Sequence, residues 1–352
     1  MKRTEILRYA GNISQLAGIT EMEFRTGKAK GMTSYEVRTG SGLEYSLLPD
    51  KCLDIHELRY KGCNISFLAK NSLAAPAYAY PLESEFDVYW PAGMLYTCGL
   101  MNIGTDCREA NGRYHPLHGR IGMAPAEQSS ARSYWEGDDY RLEASATIRE
   151  SMMGQENLTL YRRITSSFGS SELVIEDTIT NNEASTAKYM LLYHFNFGYP
   201  FIGENTKMIF PREISAIEPR TGSARTGLPA WGDIGSPVDE CPEEVFFHHP
   251  ESDHGGLVTI RLENAGLGIG VALSYNGTAL PVLTQWKSLR SGEYVIGIEP
   301  GTATLRGRVQ EEADDKLCRL EPFSSLTRRL KLSFYDVERA VAQEDKPITS
   351  LQ

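Results

Sequence analysis

No run of apolar residues in this 352-residue chain approaches the roughly 20 needed to cross a bilayer as a helix. The start, MKRTEILRYAGNISQLAGI, has a basic tip. Glu5, Arg8, Asn12 and Gln15 interrupt what would have to be the apolar heart of a secretory signal, so an amphipathic helix within about residues 1–20 is expected instead. Cysteine is sparse: six residues, at 52, 63, 98, 107, 241 and 318, with no CxxC pair. That excludes a zinc ribbon and a disulfide framework, and leaves reduced thiols of the kind found in cytoplasmic proteins. Lys and Arg are outnumbered by Asp and Glu, 36 to 46, for a formal charge of −10. Phosphate contacts need clustered cations, so nucleic acid is not an expected partner, and neither is a membrane. Self-similarity at a period of about 20–50 residues is also missing, which argues against propellers and solenoids.

What the chain has in quantity is alternation. YRLEASATIRES, ENLTLYRRITSS, SELVIEDTITNN and AKYMLLYHFNFG follow one another from 140 to 198, separated by MMGQ, SFGS and EAST. Leu173, Ile175 and Ile179 alternate with Glu172, Glu176 and Thr180, the period of a half-buried strand. Short turns between such segments imply an antiparallel meander of four strands. GLVTIRLENAGLGIGVALSYN reads as a hairpin turning at Asn264–Gly266; GEYVIGIEPGT and SSLTRRLKLSFYDV read as further strands. Two stretches break the pattern. Residues 70–95 are rich in proline and aromatics and look like a long functional loop, and 211–243 is irregular and charged. The expectation is an all-β protein, one large antiparallel sandwich over 1–352 with few short helices. A homodimer through an exposed edge or apolar patch stays open.

Only seven histidines are present, and one of them stands inside LLYHFNFGYP. On a strand, Tyr189, Leu191, Tyr193, Phe195 and Phe197 share one face, and Met190, Leu192, His194, Asn196 and Gly198 the other. Both faces are apolar, so His194 and Asn196 point into an interior or a cleft. A buried histidine bonded to neighbouring backbone is the plainer reading. RYHPLHGRIGMAPAE places His115, His118 and Arg120 within six residues beside Gly119 and Gly122, a donor-rich loop suited to sugar hydroxyls or an anion, or else a surface turn. In GEYVIGIEPGT, Glu299 shares a face with Gly297, Val295 and Glu293, which leaves room for a ligand beside the carboxylate. Its pKa would rise with partial desolvation, toward the range of a general base. A rim salt bridge is the alternative. TQWK offers Trp286 as a stacking platform and Lys287 as a cation.

The ordered set RTGSGLEYSLLPDKCLDI (38–55), YTCGLMNIG (96–104), LHGRIGMAPAE (117–127), YHFNFGYP (193–200) and LTQWKSLRSGEYVIGIEPGT (283–302) resembles the galactose mutarotase-like (aldose 1-epimerase) superfamily, and within it the DUF4432 branch. The resemblance implies a β-supersandwich and cofactor-free opening of a sugar hemiacetal. It would make Glu299 the general base on the anomeric hydroxyl, His194 the general acid on the ring oxygen, and His118 a second polarising histidine. Arg120, Asn102, Trp286, Lys287 and Asn196 become sugar contacts. The chain departs from the pattern at Lys51, where many relatives carry arginine. For the aspartate that would hold sugar hydroxyls, it offers Asp233, Asp239 and Asp253 in irregular sequence. A small-molecule sugar is thus the expected partner, with neither cofactor nor metal. A non-catalytic carbohydrate-binding module is the first alternative. A metal-dependent sugar isomerase using His115, His118, His194 and Glu299 is the second.

Overall fold

The computed structural model describes residues 2–78, 85–211 and 217–337. Nearly all of its regular structure is antiparallel β. The opening helix is shorter than expected, Arg3–Tyr9, followed by a single 3₁₀ turn at Ile13–Gln15 and a strand from Gly18 to Glu23. The helix buries only Ile6 and stops at Ala10–Gly11. The Asn12 side chain then caps the next turn by accepting from the Ser14 N–H at 3.0 Å.

Three of the four strands expected as a meander do pair in order. Asp139–Ser151 sets Ile148 opposite Leu160 of Asn157–Ser167, which sets Ile164 opposite Ile175 of Glu172–Asn181. The fourth, Ala187–Gly198, leaves them: the third pairs instead with the C-terminal strand Ser325–Asp336. Burial explains the departure. The first three strands alternate buried and partly exposed residues, whereas every residue from Tyr189 to Gly198 is buried. A strand apolar on both faces needs a layer on each side. It lies between Leu95–Leu100 and Glu293–Gly301 in a second sheet that continues through Val282–Arg290 to Glu244–His248. The Leu257–Asn264 and Ile269–Asn276 hairpin turns where the sequence suggested.

The eight-stranded and seven-stranded sheets, with a five-stranded N-terminal sheet, enclose one large core. Tyr189, Leu191, Tyr193, Phe195 and Phe197 all enter that core, as the face assignment required, while Met190 and Leu192 join a second cluster on the opposite side with Tyr96, Cys98, Val245 and Phe247. One buried ion cluster ties the layers together. The Arg162 guanidinium, fully enclosed, donates to both oxygens of Asp177 at 2.8 and 2.6 Å and to Asp54 at 2.5 Å. Asp54 in turn accepts from the Thr97 N–H and hydroxyl, at the centre of the Leu95–Leu100 strand. All six cysteines are free, with Cys52 and Cys98 in the interior.

Candidate active site

The second side of the seven-stranded sheet gathers the candidate site residues. Cross-strand register sets Trp286 opposite Gly297, Thr284 opposite Glu299, Asn196 opposite Gly297 and Tyr96 opposite His194. Since directly opposed residues share a face, these side chains gather on one surface. His194 Nε2 stands 3.2 Å from Glu299 Oε1. Gly297 makes this approach possible: a Cβ there would sit 2.6 Å from Glu299 Oε1, 3.0 Å from Trp286 Cβ and 3.4 Å from His194 Cε1.

His118 comes from a loop rather than a strand. Its backbone is left-handed, φ 59°, and Gly119 follows at φ 76°. A Cβ on Gly119 would meet the Gly99 and Asn102 carbonyl oxygens at 2.3 and 2.5 Å, so the loop can press against the Leu95–Leu100 strand only as glycine. The turn is pinned by His118 N–H to Gly104 O at 2.9 Å, and by Gly99 N–H to His118 O at 3.1 Å. The Gly104 N–H also donates, at 3.4 Å, to His118 Nδ1, which leaves the ring proton on Nε2. The His118 and His194 rings are 5.5 Å apart and nearly perpendicular.

Aromatic side chains wall the pair. Trp90 and Trp286 each lie 5.6 Å from the His194 ring and 5.7 Å from each other; Phe86 stacks on Trp90 and lies 5.5 Å from His118. Phe67 closes the far side against both indoles. Inside this box, His194 Nδ1, both oxygens of Glu299, Thr284 Oγ1, Trp90 Nε1 and Asn196 Oδ1 are buried without a hydrogen-bond partner. A native interior rarely tolerates such a concentration, because each unsatisfied group costs about 1–3 kcal/mol. Ligand hydroxyls would satisfy them.

Burial dominates the electrostatics. It pushes the Glu299 carboxyl well above its ordinary range; the Glu243 carboxylate adds to the rise and the Arg220 guanidinium opposes it. Burial, then the neighbouring His118, holds His194 well below the usual imidazole value. For His118, burial and then Arg220 bring the value down to about 3. Burial thus favours the uncharged form of all three groups, and a Glu299 carboxyl that keeps its proton stands within reach of His194 Nε2.

The site unites Glu299, His194, His118, Trp286 and Asn196. Asn196 uses its amide N–H groups on Gly93 O and His194 O, both at 3.0 Å, and keeps its oxygen free. The other three expected sugar contacts go elsewhere. Lys287 follows Trp286 on a strand of period two, so it faces the opposite side, where its ammonium meets Ala230 O at 2.9 Å and Glu244 at 3.1 Å. Asn102 is wholly buried, and its amide straps loops together through Thr105 O, Pro116 O and the Arg308 N–H. Arg120 donates to Tyr114 O at 2.9 Å, and its charge acts on Glu150 rather than on the Glu299 pair.

His115 is turned toward Glu109, 2.7 Å away, and no metal-competent group of three His, Cys, Asp or Glu occurs among the described residues. The four-ligand isomerase set is thus not assembled. Lys51 is buried with its ammonium 3.2 Å from Met123 Sδ. Asp233 and Asp253 are exposed, and Asp239 accepts from Ser291.

The acidic group beside the site is instead Glu243, which accepts from the Trp286 indole N–H at 2.9 Å. Glu243, Arg220, Phe67, Phe86 and Trp90 were not singled out from the sequence. Arg220 and Glu243 lie within or beside the irregular 211–243 stretch, of which 212–216 fall outside the described residues. Phe86 and Trp90, whose rings lie against His118 and His194, come from the 70–95 stretch, of which 79–84 likewise fall outside the described residues. A separate cavity of about 410 Å³ between Tyr199, Glu204 and Tyr294 has internally bonded polar groups, Glu204 with Ser236 and the Tyr294 hydroxyl with Gly235 O.

This β-supersandwich, with its polar centre on one sheet, has the galactose mutarotase-like fold. Residues 29–334 match the domain of unknown function DUF4432, and the chain belongs to that family. Among solved structures, it is similar to a "putative aldose 1-epimerase" from Klebsiella pneumoniae subsp. pneumoniae, at 24% identity and TM-score 0.87, over 93% of this chain and 85% of that one. A galactose mutarotase-like protein from Clostridium acetobutylicum superposes with TM-score 0.62 at 14% identity, covering 92% of this chain and 99% of that one. The galactose 1-epimerase from Lactobacillus acidophilus NCFM gives 0.57 at 13%, covering 91% and 99%. No functionally curated protein matches. Among the described residues, no helix is long and apolar enough to cross a membrane.

Proposed function

We propose that the protein is a cofactor-free aldose 1-epimerase that interconverts the anomers of a sugar at the His194–Glu299 pair. The observation that carries this reading is the convergence of a carboxyl and an imidazole at 3.2 Å, both buried and with unsatisfied polar atoms, inside one aromatic box. Ring opening needs two simultaneous proton transfers, one from the anomeric hydroxyl and one to the ring oxygen. Passing the carboxyl proton of Glu299 to the unprotonated nitrogen of a neutral His194 yields carboxylate and imidazolium without changing the net charge. The carboxylate then removes the O1 proton as the C1–O5 bond breaks, and the imidazolium protonates O5. Rotation about C1–C2 exposes the other carbonyl face, and the reverse transfers close the ring and restore both groups. His118, neutral and carrying its proton on Nε2, supplies a hydrogen bond to the oxygen that gains charge. The indole and phenyl faces receive the C–H faces of the pyranose.

Polarimetry across a panel of aldoses, deoxy sugars and sugar acids tests the proposal. Wild type should accelerate the approach to anomeric equilibrium for at least one sugar, and Glu299→Gln should reduce the rate to that of buffer. Binding without acceleration in wild type would replace catalysis by recognition.

A further inference from the structure

We propose that the substrate is an anionic sugar, bearing a carboxylate or phosphate remote from the anomeric carbon, and that Arg220 is the residue that binds this group. The inference rests on the mutarotase reading above and narrows its substrate class.

Arg220 follows the edge strand Ile217–Pro219, with its N–H bonded to Val245 O at 2.8 Å, next to a residue of the cluster on the site face of the sheet. Its guanidinium reaches toward the His118 loop. Nη2 donates at 2.8 Å to Oγ1 of Thr105, one residue along from the Gly104 that bonds the His118 ring, and at 3.4 Å to Leu305 O. Among the described residues, Nε and Nη1 have no hydrogen-bond partner and no carboxylate lies within ion-pair distance, whereas Arg113, Arg162 and Arg306 are each paired with an acid. An acidic protein of net charge −10 has thus left one guanidinium without a carboxylate at its candidate active site. Its field nevertheless reaches both His118 and Glu299.

The remaining charges orient such a ligand. Glu243 lies on the Trp286 side, where it accepts the indole N–H, so it repels an anion from that wall. Burial favours the uncharged forms of Glu299, His194 and His118 at the floor. A carboxylate or phosphate therefore has one favourable direction, toward Arg220, whose Nε and Nη1 donors fit a planar or tetrahedral oxyanion. That anchoring would leave the anomeric centre over Glu299 and His194.

The test compares glucuronate, galacturonate, glucose 6-phosphate and galactose 6-phosphate with glucose and galactose. Anomer exchange is measured by NMR and binding by quenching of Trp fluorescence, using wild type, Arg220→Gln and Arg220→Lys. At least one acidic sugar should be preferred over its neutral parent, and which pair shows the preference distinguishes carboxylate from phosphate. Arg220→Gln should lower the acidic-to-neutral ratio of kcat/KM about ten- to a hundredfold, the range of a charge-assisted contact, and Arg220→Lys should restore part of it. Should Arg220→Gln fold poorly through loss of the Thr105 contact, wild type still decides. Acidic-sugar affinity must fall with added salt while neutral-sugar affinity does not. A preference for neutral sugars, or a ratio unmoved by Arg220→Gln, overturns the assignment. Salt- and Arg220-dependent binding of an acidic sugar without anomer exchange would support Arg220 while refuting the mutarotase reading. No binding of any acidic sugar refutes the proposal.

Discussion

Gly297→Ala isolates the geometry on which the site depends. Gly297 has no left-handed backbone to protect, so alanine is acceptable to the chain; only the space is at issue. The new methyl would lie 2.6 Å from Glu299 Oε1 and 3.0 Å from Trp286 Cβ. Ordinary contact needs roughly 3.5 Å, so the carboxyl must retreat by about 0.9 Å. Overpacking costs about 1–3 kcal/mol, and replacing a strand glycine returns about 0.5–1 kcal/mol. The net loss is then about 0–2.5 kcal/mol, at most a fall in Tm of a few degrees. The effect on rate should be far larger. Displacing a reacting group by about 1 Å costs on the order of a hundredfold. Anomer exchange and thermal melts on Gly297→Ala and on a control, Gly203→Ala, where nothing lies within 4 Å, separate the two effects. The control should be unchanged in both. A Gly297→Ala variant with wild-type exchange would refute the claim that Glu299 and His194 must meet across this glycine.

Three further outcomes follow from the same geometry. Asp177→Ala strips the bidentate partner from the buried Arg162 and should cost about 3–5 kcal/mol in urea unfolding; a loss below about 1 kcal/mol would show that the cluster is not held as described. Lys287→Met should change sugar affinity less than about twofold, since its ammonium sits on the other side of the sheet from Trp286; a tenfold loss by titration would place it in the site after all. His56 is held down to about 4 by burial, below its unfolded value near 6.5, so its protonation favours unfolding, and its contribution to stability is lost as pH falls through that window. His56→Gln should flatten the stability-against-pH slope by about 1.4 kcal/mol per pH unit between roughly pH 6 and 4.5. An unchanged slope would mean that His56 is not buried neutral.

Periodicity made most of this molecule legible. The strands around Ile175, His194 and Glu299 and their inward faces follow from period two alone, and so does the placing of Gly297 beside Glu299. Strand pairing was less legible. Nothing local in AKYMLLYHFNFG says which partners it takes, and its short turn from the preceding strand led to its being counted in the meander despite its two apolar faces. Side-chain direction near strand ends and in loops failed most often. Lys287 was assigned to the ligand beside Trp286, yet adjacent strand residues face opposite ways. The resemblance makes Asn102 a sugar contact, and its role as a strap appears only when Thr105, Pro116 and Arg308 are brought together by folding. Arg220 and Glu243 carry no periodic signal at all, and their proximity to the site depends on where an irregular stretch is packed.

The central claim is that Glu299 and His194 move protons to and from one sugar. Exchange spectroscopy between the α and β anomers, at saturating sugar with binding verified by Trp fluorescence, tests it most directly in wild type and Glu299→Gln. Rapid exchange in wild type and a buffer-like rate in a fully bound Glu299→Gln variant is the predicted result. Equal rates in the two proteins at equal occupancy would contradict it.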